Sequence, residues 1–170
     1  MAIEDLPILS NETLRKIVAK MQTEEKTEKA INEIKENIRA YDSEIAYYID
    51  RVALKSMDME QVSRAGYFIY ANIKSQFDSQ IMEKEFSGKE IKGPREIPIL
   101  NKDDIDKAEE KIKQYGRFIE KELRRNNIGL FYYIEVLTKN SDDREATKRV
   151  AYTVVEALAT KLEAYKKNSK

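Results

Sequence analysis

The sequence predicts an all-α protein: an antiparallel helical bundle of five or six helices, crossed by one long extended loop containing Pro and Gly at about residues 87–101. Three observations predict it. Only 5 Gly and 3 Pro occur in 170 residues, too few for the turns of a sandwich or barrel. Apolar residues recur at spacings of three and four along most of the chain, the helical period. Between Pro7 and Gly66 no Gly or Pro intervenes. A hydrophobic fraction of 41% beside 36% charged residues belongs to a folded chain with a wet, ion-paired surface. The length predicts one helical domain over 1–170, with an extended lead at 1–10 and a frayed tail at 166–170.

The elements follow in order. Leu14, Ile17, Val18 and Met21 occupy one helical face. Beyond a charged patch, Ile31, Ile34, Ile38, Tyr41, Ile45, Tyr48 and Val52 keep an a/d register without a slip, the pattern of a packing seam. A single helix over residues 11–57 would run roughly 70 Å at 1.5 Å per residue. That exceeds the width of a domain of this size, so a break is expected near 22–27, with Thr23 or Thr27 as N-cap.

The next helix starts at Asp58, with Gln61 placed for a capping box, and ends at Gly88. Its segment Gly66–Ile73 is apolar nearly all round and is expected to be central. The loop 87–101 follows, with Gly93, Pro94 and Pro98 favouring extended backbone. Helix Asp103–Arg125 carries Ile105, Ala108, Ile112, Tyr115, Ile119 and Leu123, and Asn126 and Asn127 stop it. Residues 128–137 read as a strand by β-branched and aromatic content, and as a short buried helix by Leu130, Ile134 and Leu137. No second strand is available to pair with, so helix is the prediction. The last helix is expected to be capped near Asn140 or Ser141, with Asp142 and Asp143 in its first turn. Its stripe is Val150, Val154, Leu158, Leu162 and Tyr165.

One segment repeats. Leu6-Pro7-Ile8-Leu9-Ser10 matches Ile97-Pro98-Ile99-Leu100-Asn101. Each copy places a hydrophobic residue before a polar N-cap and an aliphatic partner (Leu14, Ile105) in the first turn, the pattern of a hydrophobic staple.

Composition excludes much chemistry. With 0 Cys there is no disulfide, thiolate nucleophile or Cys-based metal site, and with 0 His the commonest general base and metal ligand are missing. Gly88-Lys89-Glu90 lacks the other residues of a phosphate loop, and no hydrolase or kinase signature occurs. Carboxylates at Glu24, Glu25 and Glu28, or at Glu109 and Glu110, alternate with Lys and read as a solvated face. The expectation is a protein without catalytic residues, metal or cofactor, with a carboxylate-metal hydrolase as a remote alternative. No apolar run approaches membrane-spanning length, and the first residues lack a signal-peptide pattern. A cytoplasmic location, or a virion if the chain is viral, is the expectation.

The 10 Tyr and 5 Phe form a sizeable aromatic load, and Tyr is enriched at interfaces. Tyr47 and Ile49 lie off the seam set by Ile45 and Tyr48. The sequence therefore predicts a helical assembly or adaptor protein binding copies of itself or other protein subunits, with Tyr47, Ile49, Tyr67, Tyr70 and Tyr132 as contacts. Connectors, rings and replisome scaffolds are analogies at fold level only. A thick internal core with Tyr hydroxyls reaching solvent would use the same residues. The alternative partner is nucleic acid. Residues 1–85 carry 12 basic and 16 acidic side chains and residues 86–170 carry 19 and 15, with Lys121, Arg124, Arg125, Lys148 and Arg149 as candidate phosphate contacts.

Overall fold

The structure, a computed structural model, describes residues 2–8 and 24–168. Among them it holds a 3-10 turn at Ala2–Asp5, six α-helices and no strand. The helices are α1 Glu24–Tyr41, α2 Ser43–Lys55, α3 Met59–Phe86, α4 Lys102–Asn126, α5 Ile128–Lys139 and α6 Arg144–Asn168. The all-α bundle expected from the sequence is the fold. The stripe Leu14–Met21 and the cap at Thr23 lie outside the described residues, and Thr27 sits within α1 rather than at a cap.

The seam Ile31–Val52 is not one helix. Its residues are buried or half-buried as the register requires, but Asp42 breaks it, at φ −141° and ψ 85°. A short acid competes with the helix for backbone donors. Asp42 accepts from the Ile45 amide at 3.4 Å and so starts α2 as its N-cap. The same carboxylate, with no exposed surface, accepts from the Leu100 amide at 2.9 Å and from the Tyr70 hydroxyl at 3.3 Å. One side chain thus ties the α1–α2 break, α3 and the segment before α4 together. Burial raises its carboxyl above the ordinary range, against the pull of those three hydrogen bonds.

Helix α3 begins where expected, with Asp58 accepting from the Gln61 amide at 3.2 Å. The second Asp58 oxygen accepts from the Asp142 amide at 2.8 Å, pinning the start of α3 to the turn before α6. At its far end Gly88 adopts φ +70°. That left-handed residue lets the Lys89 amide reach the Lys84 carbonyl (3.0 Å) and its own amide reach Glu85 (3.3 Å), a Schellman closure.

Between Phe86 and Lys102 there is neither helix nor strand. Ile97, Pro98 and Leu100 are buried and Ile99 is exposed; the first repeat copies this, with Leu6 and Pro7 buried and Ile8 exposed. Each copy is held by a carbonyl: the Tyr41 hydroxyl donates to Ile97 O and the Asn127 side-chain Nδ2 to Pro7 O. Asn101 caps α4 in a reciprocal box with Asp104, at 2.8 and 2.9 Å. Leu9, Ser10 and Leu14 lie outside the described residues. The lead is not extended throughout: Ala2–Asp5 coils, and Ile3 and Leu6 are buried.

Asn127 ends α4 with its amide on the Leu123 carbonyl and starts α5 with its side chain accepting from Leu130 N. Residues 128–137 are helical, buried on one side only. Helix α6 is capped later than the sequence suggests, at Asp143 rather than at Asn140 or Ser141. Asp143 accepts from the Ala146 amide at 3.1 Å, because Ser141 is occupied by the Asp143 amide and the Thr147 hydroxyl. Every residue of α6 from Val150 to Ala159 is buried, since this helix packs against α2, α3, α4, α5 and the 3-10 turn. The central rod is therefore α6 as much as α3. Its end is not frayed at Lys166, which is helical and paired with Asp5, whereas Tyr165 is exposed.

Candidate contact face

Helix α2 shows how the interior and a free face are divided on one rod. Ile45, Ala46, Tyr48, Ile49, Val52 and Ala53 are buried. Tyr47 and Leu54, seven residues apart and so separated by only about 20° around the helix, point the opposite way. They are 65% and 73% exposed. Beyond Leu54 the corner into α3 adds Met57, 82% exposed, and Met59, also exposed. Leu54 and Met59 border a groove of about 720 Å³ between α1, α2 and α3, lined further by Ile31, Ala53, Lys35 and Arg64. Burial lowers the Lys35 ammonium below its ordinary value, with Arg39 and Arg64 adding to the effect and Asp50 opposing it.

The five contact residues expected from the sequence divide. Tyr47 and Tyr132 are exposed; Ile49, Tyr67 and Tyr70 are buried, which corrects their expected place on the surface. Ile49 is buried because Gly66 opens space for it: a Cβ on Gly66 would stand 2.7 Å from Ile49 Cγ2. Tyr67 donates to Asp50 Oδ1 at 2.8 Å and approaches Ala46 O at 3.3 Å, with Lys35 and Arg39 over its ring. Tyr70 donates to Asp42. Burial first, and then the facing carboxylate, pushes both hydroxyls well above the ordinary tyrosine range. Their polar tips are satisfied inside the bundle rather than in solvent. The exposed apolar residues that sequence reasoning missed were legible in part, since Leu54 stands one heptad after Tyr47.

The five basic candidates divide as well. Lys121, Arg124 and Arg125 are exposed on the last turns of α4. Arg149 is engaged with Glu109 at 2.9 Å, and Lys148 with Glu120 at 3.2 Å and Glu135 at 3.9 Å. Those two cations hold α6 to α4 and α5.

The polar interior offers chemistry only in outline. Tyr48, Glu109, Arg149 and Thr153 meet where α2, α4 and α6 converge, beside a cleft of about 430 Å³ that includes Arg51, Lys55, Asp143 and Glu145. Burial resists ionisation of Glu109, but Arg149 and the Tyr48 hydroxyl outweigh it and hold the carboxyl below its ordinary value. Cations and acids balance in this cleft, and Glu109 is already committed to Arg149. Among the described residues no group of three or more carboxylates is arranged to hold a metal ion, and the side chains of Glu24 and Glu25 lie outside them. Nor is any helix among them long and apolar enough to cross a membrane.

No protein-family model matches the chain, and no curated protein or solved structure resembles it above the level of chance.

Proposed function

We propose that this protein is a non-enzymatic helical assembly module, which joins another copy of itself or another protein subunit through the outer face of α2 and the α2–α3 corner. The supporting observation is that Tyr47 and Leu54 are exposed on the outer face of α2, whose opposite face already fills the core, and that Met57 and Met59 are exposed at the corner that follows. Isolated exposed apolar residues are ordinary, whereas several gathered at one corner, two of them on the rim of a groove, support reading it as a contact surface. Tyr supplies area with a polar tip, and Met adapts to an irregular partner. Burying such a side chain contributes about 1.5–3 kcal/mol, so two of the four suffice to decide whether a micromolar association forms.

Sedimentation velocity across a range of protein concentrations, with native mass spectrometry of material from the source organism, tests this. The double variant Tyr47→Asp/Leu54→Asp keeps its helical circular dichroism and melting temperature but loses association, whereas Ile45→Asp or Tyr48→Asp unfolds the chain. A wild-type monomer at all concentrations that co-purifies with no other subunit overturns the reading, as does association unaffected by the double variant.

A further inference from the structure

We propose that the outer face of α4, beyond its bend, binds single-stranded nucleic acid through Arg117, Lys121, Arg124 and Arg125, with Phe118 as a stacking platform. Arg117, Lys121 and Arg124 follow one another at i, i+4 and i+7, so they form one line about 10 Å long. Arg125 and Phe118 lie on the adjoining strip, also seven residues apart. All five side chains are exposed, Phe118 by 50%. What distinguishes this line is the absence of partners. The chain carries 31 bases and 31 acids, and earlier in the same helix they pair: Lys102, Lys107 and Lys113 each have an acid one turn away, and Lys111 reaches Glu156. Among the described residues none of the four cations has a salt bridge, and Arg124 rests over the Phe131 ring at 5.9 Å. Of the two acids on the same turns, Glu120 pairs with Lys148 and Glu122 accepts from the Asn126 side chain.

The bend supplies the second component. Tyr115, at φ −129° and ψ 23°, departs from helical geometry. Tyr115 and Phe118 both border a groove of about 940 Å³ between α4 and α6. Unpaired cations along a line with exposed aromatic rings beside it are the two elements of single-strand recognition, one set for phosphates and one for unstacked bases. A lipid surface fits less well, because an interfacial helix needs a broad apolar face opposite its charges, and the opposite face of α4 is buried through Ile119 and Leu123. The inference is independent of the α2 contact face. It moves the nucleic-acid contact from Lys148 and Arg149, which are neutralised, to Arg117 and Phe118.

Fluorescence anisotropy of a labelled 20-nucleotide oligo-dT, titrated with the full-length protein between about 50 and 200 mM salt, tests it. With four phosphates neutralised on a single strand, log K should fall against log salt with a slope of about −3. Arg117→Glu/Lys121→Glu should make the slope shallower by at least 1 and weaken binding more than tenfold. Phe118→Ala should weaken it about tenfold with the slope retained. These positions are exposed, and unchanged melting temperatures verify that the variants fold. Absence of salt-dependent binding at 50 mM, insensitivity to the charge reversals, or equal or tighter binding of a duplex, polyglutamate or phosphatidylserine vesicles would each overturn the proposal.

Discussion

Replacing Gly66 by Ala separates intrinsic helix preference from packing. Gly66 is an interior residue of α3, where Ala favours the helix by about 1 kcal/mol. The added Cβ would lie 2.7 Å from Ile49 Cγ2, 2.7 Å from Val150 Cγ1 and 2.8 Å from Ile49 Cγ1. Each approach is about 0.8 Å inside the contact optimum of about 3.5 Å. Ile49 and Val150 belong to α2 and α6, neither has exposed surface, and both are β-branched with little rotamer freedom. Relief therefore requires three helices to move apart, and three such approaches place the overpacking cost in the upper part of the usual range, about 2–3 kcal/mol. The expected net loss is about 1–2 kcal/mol, a fall of about 2–8 °C in Tm for a chain of this size. The control is Gly116→Ala, where a Cβ meets nothing within 4 Å; it should gain about 0.5–1 kcal/mol. Thermal and urea unfolding read both. In an Ile49→Ala background, which removes two of the three clashes, the Gly66→Ala penalty should shrink by about 1 kcal/mol or change sign. A Gly66→Ala variant as stable as wild type, or a penalty unaltered by Ile49→Ala, refutes this account of helix approach.

Two further predictions concern one buried and one half-buried carboxylate. Asp42→Ala leaves the Leu100 amide and the Tyr70 hydroxyl without their acceptor and removes the α2 cap, so a loss of about 3 kcal/mol is expected in urea unfolding. Because the Asp42 carboxyl is raised in the folded state, its part of the stability falls as pH rises from about 3.9 through the native value. Asp42→Asn should abolish that decline in a Tm–pH profile. Glu109 runs in the opposite sense: its carboxyl is held low, so its contribution is present above the unfolded value near 4.3 and is lost as pH falls through the native one. Arg149→Met should remove that acid-side loss and lower stability at neutral pH; a Tm–pH profile parallel to wild type would contradict the Glu109–Arg149 assignment.

The sequence by itself determined the fold class and most helix boundaries, because those depend on local physics. Apolar spacing, the scarcity of Gly and Pro, and caps at Asp58, Asn101 and Asn127 act over a few residues and are written in order along the chain. It also identified Tyr47 as lying off the seam, and Lys121, Arg124 and Arg125 as a basic group. Tertiary structure decided the rest. Asp42 looks like any polar residue between two seam positions, and only the arrival of Leu100 and Tyr70 makes it a buried junction that splits the seam. Ile49, Tyr67 and Tyr70 carry the same residue types as a contact face, yet a glycine in α3 and acceptors on α2 and at the α1–α2 break take them inside. Arg149 and Lys148 are as basic in sequence as Arg117 and Lys121; which pair is neutralised depends on acids brought up by α4 and α5. A helical period says that a side chain faces some neighbour. How many neighbours surround a helix, and so whether its second face is core or surface, is fixed by the packing of rods far apart in sequence.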